Sequence, residues 1–122
     1  MITYDDFAKV EIRAGKILSA EKIPDTDKLL KLSVDFAEAA PRLIVSGISM
    51  YYPDPTVLVG KTAMFVTNLE PRKLRGFESN GMLFAVSTPD VLDETGAVVK
   101  KGSFSLLEPA PEAGIPAGTR AK

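Results

Sequence analysis

Between Leu30 and Phe36 every second residue is apolar: Leu30, Leu32, Val34 and Phe36 alternate with Lys31, Ser33 and Asp35. A period of two marks a strand with one buried face, because successive side chains of a pleated backbone point to opposite sides. The same period runs through Val10, Ile12 and Ala14, separated by Glu11 and Arg13, until Gly15 interrupts it ahead of Ile17 and Leu18. A glycine inside such a pattern predicts a bulge or bend at Gly15. Three further apolar segments, at 43–46, 61–67 (KTAMFVT) and 82–86 (MLFAV), read as a third, fourth and fifth strand.

The punctuation between these segments is equally informative. IPDTDK at 23–28 is rich in turn formers and introduces the second strand. YYPDPTVLVG at 51–60 combines two prolines with Thr56-Val57-Leu58, predicting a short helical turn stopped by Gly60. Near the N-terminus, Thr3 is placed to cap a helical turn in TYDDFAKV, with Asp5 and Asp6 in its first turn. Five short strands, a helical element between the third and fourth, and a glycine that bends the first match an all-β, five-stranded OB-fold barrel. The barrel is expected over about 7–88, followed by a C-terminal extension over 89–122. SFSLL at 103–107 is extra strand material, expected to pack on the barrel or on a second copy of the chain. PDVLDETGAVVKKG at 89–102 reads as a hairpin or loop turning at DETG, and PAPEAGIPAG at 109–118 as irregular or extended chain. With 45% hydrophobic residues, 122 residues suffice for one domain, 1–122, around one core.

Composition removes much chemistry. Without cysteine there is no disulfide, thiolate nucleophile or Cys-ligated metal site, and without histidine no Ser-His-Asp triad, HExxH site or proton shuttle near neutral pH. Asp25, Asp27 and Asp54 are spaced unlike an EF-hand loop, and no GxGxxG, Walker loop or nucleophile elbow occurs. The expectation is a binding protein with no catalysis, cofactor or metal. No basic-then-apolar leader opens the sequence and no run approaches the roughly 20 apolar residues of a membrane span, so the expected location is cytoplasmic, away from membranes.

Net charge is −1, from 15 basic and 16 acidic residues, so only the placement of the charges informs. Residues 61–75 hold Lys61, Arg72, Lys73 and Arg75 against Glu70 alone, whereas Pro89 to Glu112 holds Asp90, Asp93, Glu94, Glu108 and Glu112 against Lys100 and Lys101. The basic cluster sits in NLEPRKLRGFESNGM at 68–82. Pro71 cannot donate to a ladder and biases Glu70 toward extended geometry, so this stretch is expected to be an exposed connection. In an extended chain Lys73 and Arg75 point to one side and Leu74 to the other, as an anchor. Gly76, Gly81 and a tight turn at Asn80-Gly81 would let the backbone approach a partner.

Five separated motifs carry a resemblance: DFAKVEIRAGKI at 6–17, PDTDKLLKLSVD at 24–35, IVSGI at 44–48, LVGK at 58–61 and NLEPRKLRGFESNGM at 68–82. Together they resemble the tRNA-binding domain family. It includes free-standing dimeric tRNA-binding proteins, C-terminal domains of methionyl-tRNA synthetases and cofactors of synthetase complexes. The resemblance implies an OB-fold that binds tRNA by shape and backbone rather than anticodon sequence, usually as a homodimer joined through the N-terminal segment and the C-terminal extension, here residues 1–10 and 103–120. It also implies a possible partner synthetase, such as methionyl-tRNA synthetase. The sequence begins at Met1 and reads like an independent protein, while FSLLEPAPEAGIPAGTRAK also resembles the ending of those synthetases. A relative of the family is a dimeric chaperone-like factor that binds peptides in protein export. Its version of the basic stretch is less basic, and the present one resembles the tRNA-binding branch.

The candidate RNA-binding residues are Lys28, Lys31, Arg42, Asn68, Arg72, Lys73, Arg75, Ser79, Asn80 and Met82. Arginine presents a planar fork to phosphate and lysine a flexible point charge. Each also has an ordinary structural role open to it: Lys28, Lys31 and Arg42 as solubilising charges, Asn68, Ser79 and Asn80 as turn and cap residues, Met82 as core filling. Phe65, Phe77 and Phe84 are expected to pack inside, and Tyr51 and Tyr52 to be held by hydrogen bonds. With few exposed aromatic platforms, recognition through charge and shape is favoured over the stacking of unpaired bases.

Overall fold

Leu30, Leu32, Val34 and Phe36 are all buried, as their period of two requires, and they form the centre of the core in the computed structural model, which describes residues 1–122. A short helix α1 (Tyr4–Ala8) precedes the long strand β1 (Ile12–Lys22), which is followed by β2 (Leu30–Asp35) and β3 (Arg42–Ser46). Two 3-10 turns, Ser49–Tyr51 and Pro55–Leu58, lead to β4 (Thr62–Val66). Short strands follow: β5 (Arg72–Leu74), β6 (Phe77–Ser79), β7 (Met82–Leu83), β8 (Ala85–Ser87), β9 (Val91–Leu92), β10 (Val98–Lys100) and β11 (Phe104–Leu106).

The main sheet runs β3-β2-β1-β4-β7, antiparallel throughout. It closes on itself by side-chain and loop bonds rather than a full ladder: the Val45 amide donates to Ser79 Oγ at 2.9 Å and the Asn80 amide to the Leu43 carbonyl at 2.9 Å. The result is a nearly closed five-stranded OB-like barrel. Its interior is filled by thirteen buried apolar residues, among them Ile17, Leu32, Ile44, Leu58 and Phe65, with Phe36 edge-on to Phe65 at 5.3 Å.

The expected break at Gly15 falls elsewhere. Gly15 pairs regularly with Ala63, and the register shift lies between Ile17 and Ser19, where Leu18 has no partner on β2. That extra residue changes the phase, so Ile17 and Ala20 both face inward. Gly15 serves packing instead: a Cβ there would lie 2.6 Å from Phe36 Cε1 and 2.6 Å from Val34 Cγ1. Val10 is not in the strand and is exposed.

The other local expectations hold with small changes of boundary. Thr3 caps α1, its hydroxyl accepting from the Asp6 amide at 3.1 Å while the Asp6 carboxylate reaches back to the Thr3 amide at 3.4 Å. Asp54 caps the turn Pro55–Leu58, and Gly60, at a φ of 89°, lies just beyond it. The fifth strand is split at Phe84: β7 pairs with β4, and β8 pairs with β11, which places SFSLL on the barrel. DETG turns a hairpin of β9 and β10 that is exposed along both strands.

The C-terminal segment returns to the start of β1. The Gly118 amide donates to the Ala14 carbonyl, the Ala14 amide to the Thr119 carbonyl and the Ala121 amide to the Ile12 carbonyl, at 2.7–2.9 Å. It thus occupies the edge of β1 that β2 leaves free before Lys16. No helix of the chain is long and apolar enough to cross a membrane.

Candidate nucleic-acid interface

The basic stretch is a β-hairpin, more ordered than the loop its proline predicts. Arg72 faces Ser79, Lys73 faces Glu78 and Leu74 faces Phe77, and the turn is made by Arg75 and Gly76 with φ of 52° and 83°. Two positive φ values in a two-residue loop define a type I′ turn, whose twist matches that of paired strands. Glycine meets that demand without cost, whereas a side chain at Arg75 costs about 1 kcal/mol.

Alternation sorts the cations. Leu74, Phe77 and Ser79 share the inward side of the hairpin with Arg72, and Lys73 points outward with Glu78. Leu74 is the anchor expected of it, but Arg75 lies in the turn and does not continue the row of Lys73. The three cations therefore occupy one projecting element rather than one flat face. None of them forms an ion pair, unlike Lys9, Arg13, Lys31, Arg42 and Lys61.

Lys31 and Arg42 are engaged within the chain. Lys31 lies 3.7 Å from a Glu21 carboxylate oxygen and its ammonium stands 4.8 Å from the centre of the Phe77 ring, joining β2 to the hairpin. Arg42 donates to both Glu38 carboxylate oxygens, to the Thr67 carbonyl at 2.6 Å and to the Asn80 carbonyl at 3.2 Å, and its guanidinium rests 5.4 Å from the Phe36 ring centre. Bonds from Arg42 hold the Glu38 carboxyl below the ordinary carboxylate range, and Glu38 in turn raises the pKa of Arg42. Neither Glu38 nor its role was readable from spacing, because it reaches Arg42 from a loop.

Ser79 is 4% exposed, and its hydroxyl accepts from Val45 and donates to the Gly81 carbonyl at 3.3 Å, so its polar capacity is used in closing the barrel. Asn68 ties down the N-terminal segment, donating to the Lys9 carbonyl at 2.6 Å and accepting from the Glu11 amide at 2.8 Å. Asn80 directs its amide at the Glu78 carbonyl, 3.4 Å away. The tight turn expected at Asn80-Gly81 is instead a close crossing: Gly81 has a φ of 152°, and a Cβ there would lie 3.0 Å from Ile44 Cδ1 and 3.2 Å from the Val66 carbonyl oxygen. Lys28 has an exposed side chain, next to Leu29. Met82 is 46% exposed.

Between the hairpin and the end of β3 lies a groove of about 320 Å³. Leu29, Val45, Leu69, Leu74, Met82 and Leu83 supply its apolar lining, with Glu70 and Arg72 as its charged residues and Ser46, Gly47 and Gly81 among the rest. The sequence signal for its rim was the alternation Glu70, Arg72, Leu74, which places these three on one side of an extended chain. The aromatic residues divide differently from expectation. Phe65 is core, Phe77 and Phe84 are half-buried, and Tyr51 stacks on Phe104 at 4.0 Å, with Tyr52 edge-on to the same ring at 5.9 Å. Stacking, rather than hydroxyl hydrogen bonds, fixes the two tyrosines.

A family model described as "Putative tRNA binding domain" matches residues 12–120. The chain belongs to the tRNA-binding domain family. Methionine–tRNA ligase of Porphyromonas gingivalis is 40% identical to it over 121 residues, 99% of this chain and 16% of that protein. The chain spans 12–16% of the length of the methionine–tRNA ligases most similar to it among curated relatives. Among solved structures, the MetRS related protein of Pyrococcus horikoshii superposes with a TM-score of 0.76 at 38% identity, covering 100% of this chain and 98% of that one. The chaperone CsaA of Bacillus anthracis superposes with a TM-score of 0.72 at 27% identity, covering 100% and 99%. The same barrel thus occurs in a MetRS-related protein and in a chaperone.

Proposed function

We propose that this chain binds tRNA through the face that carries the β5–β6 hairpin, recognising folded shape and phosphate backbone with little dependence on sequence. The observation that carries this reading is the hairpin itself: Arg72, Lys73 and Arg75 are exposed and free of ion pairs on an element braced by Leu74 and the Lys31–Phe77 contact. Unpaired cations on a preordered element can meet phosphates without first breaking internal bonds, and releasing counterions from RNA supplies the affinity. Met82 and Leu29, the chain neighbour of Lys28, line the groove beside the hairpin and add Lys28 and Met82 to the proposed face, while Lys31, Arg42, Ser79 and Asn80 tie the hairpin to the barrel and Asn68 holds the N-terminal segment. No reaction is proposed for the chain.

The biological role that follows is auxiliary: retention of tRNA for aminoacylation or handling in the cytoplasm, either as a partner or as part of a synthetase. A homodimer joined through residues 1–10 and the C-terminal extension would present two hairpins to one tRNA and raise avidity. Tyr4, Phe7 and Val10 support this, being exposed beside Arg120 and Ala121.

The second reading is capture of unfolded polypeptide. The apolar lining of the groove and the likeness to the CsaA chaperone favour it. One titration separates the two, with tRNA, unstructured RNA and an unfolded polypeptide compared at two salt concentrations. Tight, salt-dependent tRNA binding supports the first reading. Polypeptide bound more tightly than tRNA at moderate salt selects the second.

A further inference from the structure

The groove beneath the hairpin combines features that backbone binding does not require. Its apolar side chains stand beside one carboxylate and one guanidinium that do not pair with each other. Glu70 and Arg72 are two residues apart in extended chain around Pro71, which places both on the groove side. About 320 Å³ is at the small end of the roughly 300–1,000 Å³ of ligand sites, room for one planar ring system. Gly47 leaves open space beside the groove, where a side chain would meet nothing within 4 Å.

We infer that this groove receives a single unpaired guanine of the bound RNA, with Leu74 and Met82 against its face, Glu70 on its donor edge and Arg72 on the adjoining phosphate. The inference rests on the tRNA reading and adds one base-specific contact to its recognition of shape and backbone. Guanine is the base chosen because an ionised carboxylate only accepts hydrogen bonds. The Watson–Crick edge of guanine offers two neighbouring donors, N1–H and the N2 amino group, to the two oxygens of Glu70. Adenine and cytosine present a ring nitrogen acceptor at the corresponding place, which a carboxylate repels, and uracil offers one donor between two acceptors. Unpaired bases read on this edge, with side chains packed on their faces, are the common mode of specific RNA recognition. Arg72 neutralises the phosphate that accompanies the base, so the two charges of the groove match the two ends of one nucleotide.

The test is an amide chemical-shift titration of the full chain with GMP, AMP and inorganic phosphate, alongside binding of whole tRNA and of an apolar unfolded peptide. GMP is expected to shift Gly47, Leu74, Gly81 and Met82 and to bind at least about tenfold more tightly than AMP. Glu70→Gln, at an exposed position, is expected to reduce that preference to within about twofold, and Met82→Glu to abolish both. Equal binding of GMP and AMP, or shifts outside the groove, overturns the inference. Salt-dependent tRNA binding that leaves the groove amides unmoved overturns it while the tRNA reading stands. Failure to bind tRNA at all removes that reading as well, and groove shifts with the peptide alone assign the groove to polypeptide.

Discussion

Arg42 grips Glu38 through two hydrogen bonds, Nε to one carboxylate oxygen at 2.8 Å and Nη2 to the other at 2.9 Å. The same guanidinium reaches across to the Thr67 and Asn80 carbonyls, so one side chain links the loop before β3 to the ends of β4 and the hairpin. Arg42→Met is expected to cost more than Glu38→Gln, because it leaves two carbonyls and a carboxylate without a donor. Roughly 2 kcal/mol and about 1 kcal/mol are reasonable magnitudes, the second reduced by the partial exposure of Glu38. Urea denaturation of both variants checks the order.

Acid should loosen the same region. The Glu38 carboxyl is lowered from an ordinary 4.5 first by its bonds to Arg42, and Glu11 is lowered from 4.5 first by its bond to Arg13 and then by that from Thr67. A depressed folded-state pKa gives stability that is present above the unfolded value and disappears as pH falls through the folded one. Stability is therefore expected to be flat above about pH 5 and to decline below about pH 4.5. In the double variant Glu11→Gln, Glu38→Gln that decline should be shallower, as read from urea midpoints between pH 3 and 6.

Gly15→Ala is expected to destabilise the barrel by about 1–3 kcal/mol, since its methyl group would press into the buried Phe36 ring and Val34. The urea midpoint should fall with the m-value unchanged. A neutral result would show that the ring has room to retreat.

Arg75→Asn separates stability from binding. Asparagine tolerates a φ of 52° better than arginine, so Tm should rise by the equivalent of about 0.5 kcal/mol, while tRNA affinity should fall through the lost charge. Calorimetry and a binding curve on the same sample read both changes. A rise in Tm with unchanged affinity would remove Arg75 from the interface.

Replacing Arg72, Lys73 and Arg75 together by alanine is expected to flatten the salt dependence of tRNA binding by about two to three in the log–log slope, one phosphate contact contributing about 0.7–0.9. The three side chains lie outside the core, so the melting curve should stay close to that of the parent. A slope unchanged by the triple substitution would end the assignment of the hairpin to RNA.

Local order was legible where one residue decides it locally. Thr3 caps because its hydroxyl sits one turn from a free amide, and β2 is a strand because Leu30, Leu32 and Val34 alternate. The basic hairpin looks like a loop in sequence because Pro71 obscures the pairing of Arg72–Leu74 with Phe77–Ser79, and because an arginine in a left-handed turn is an uncommon choice. Of the ten residues marked for RNA, the chain keeps Arg72, Lys73, Arg75, Lys28 and part of Met82 outside its own bonding, and uses the side chains of Lys31, Arg42, Asn68, Ser79 and Asn80 internally. Polarity is written in sequence, but whether a polar group is already satisfied depends on partners as distant as Val45 from Ser79.

The sequence by itself determined the alternation that makes the strands, the cap of the N-terminal helical turn, and the concentration of Arg72, Lys73 and Arg75 within four positions. These are short-range properties, set by backbone sterics and by which residues are neighbours in the chain. The tertiary structure alone decided that the bulge falls at Leu18, that 118–121 completes the edge of β1, and that Glu70, Arg72, Leu74 and Met82 meet Leu29 and Gly47 around one groove. Those outcomes depend on which segments compete for the same core and the same unpaired amides once the sheet closes, a competition between residues that are far apart in the chain.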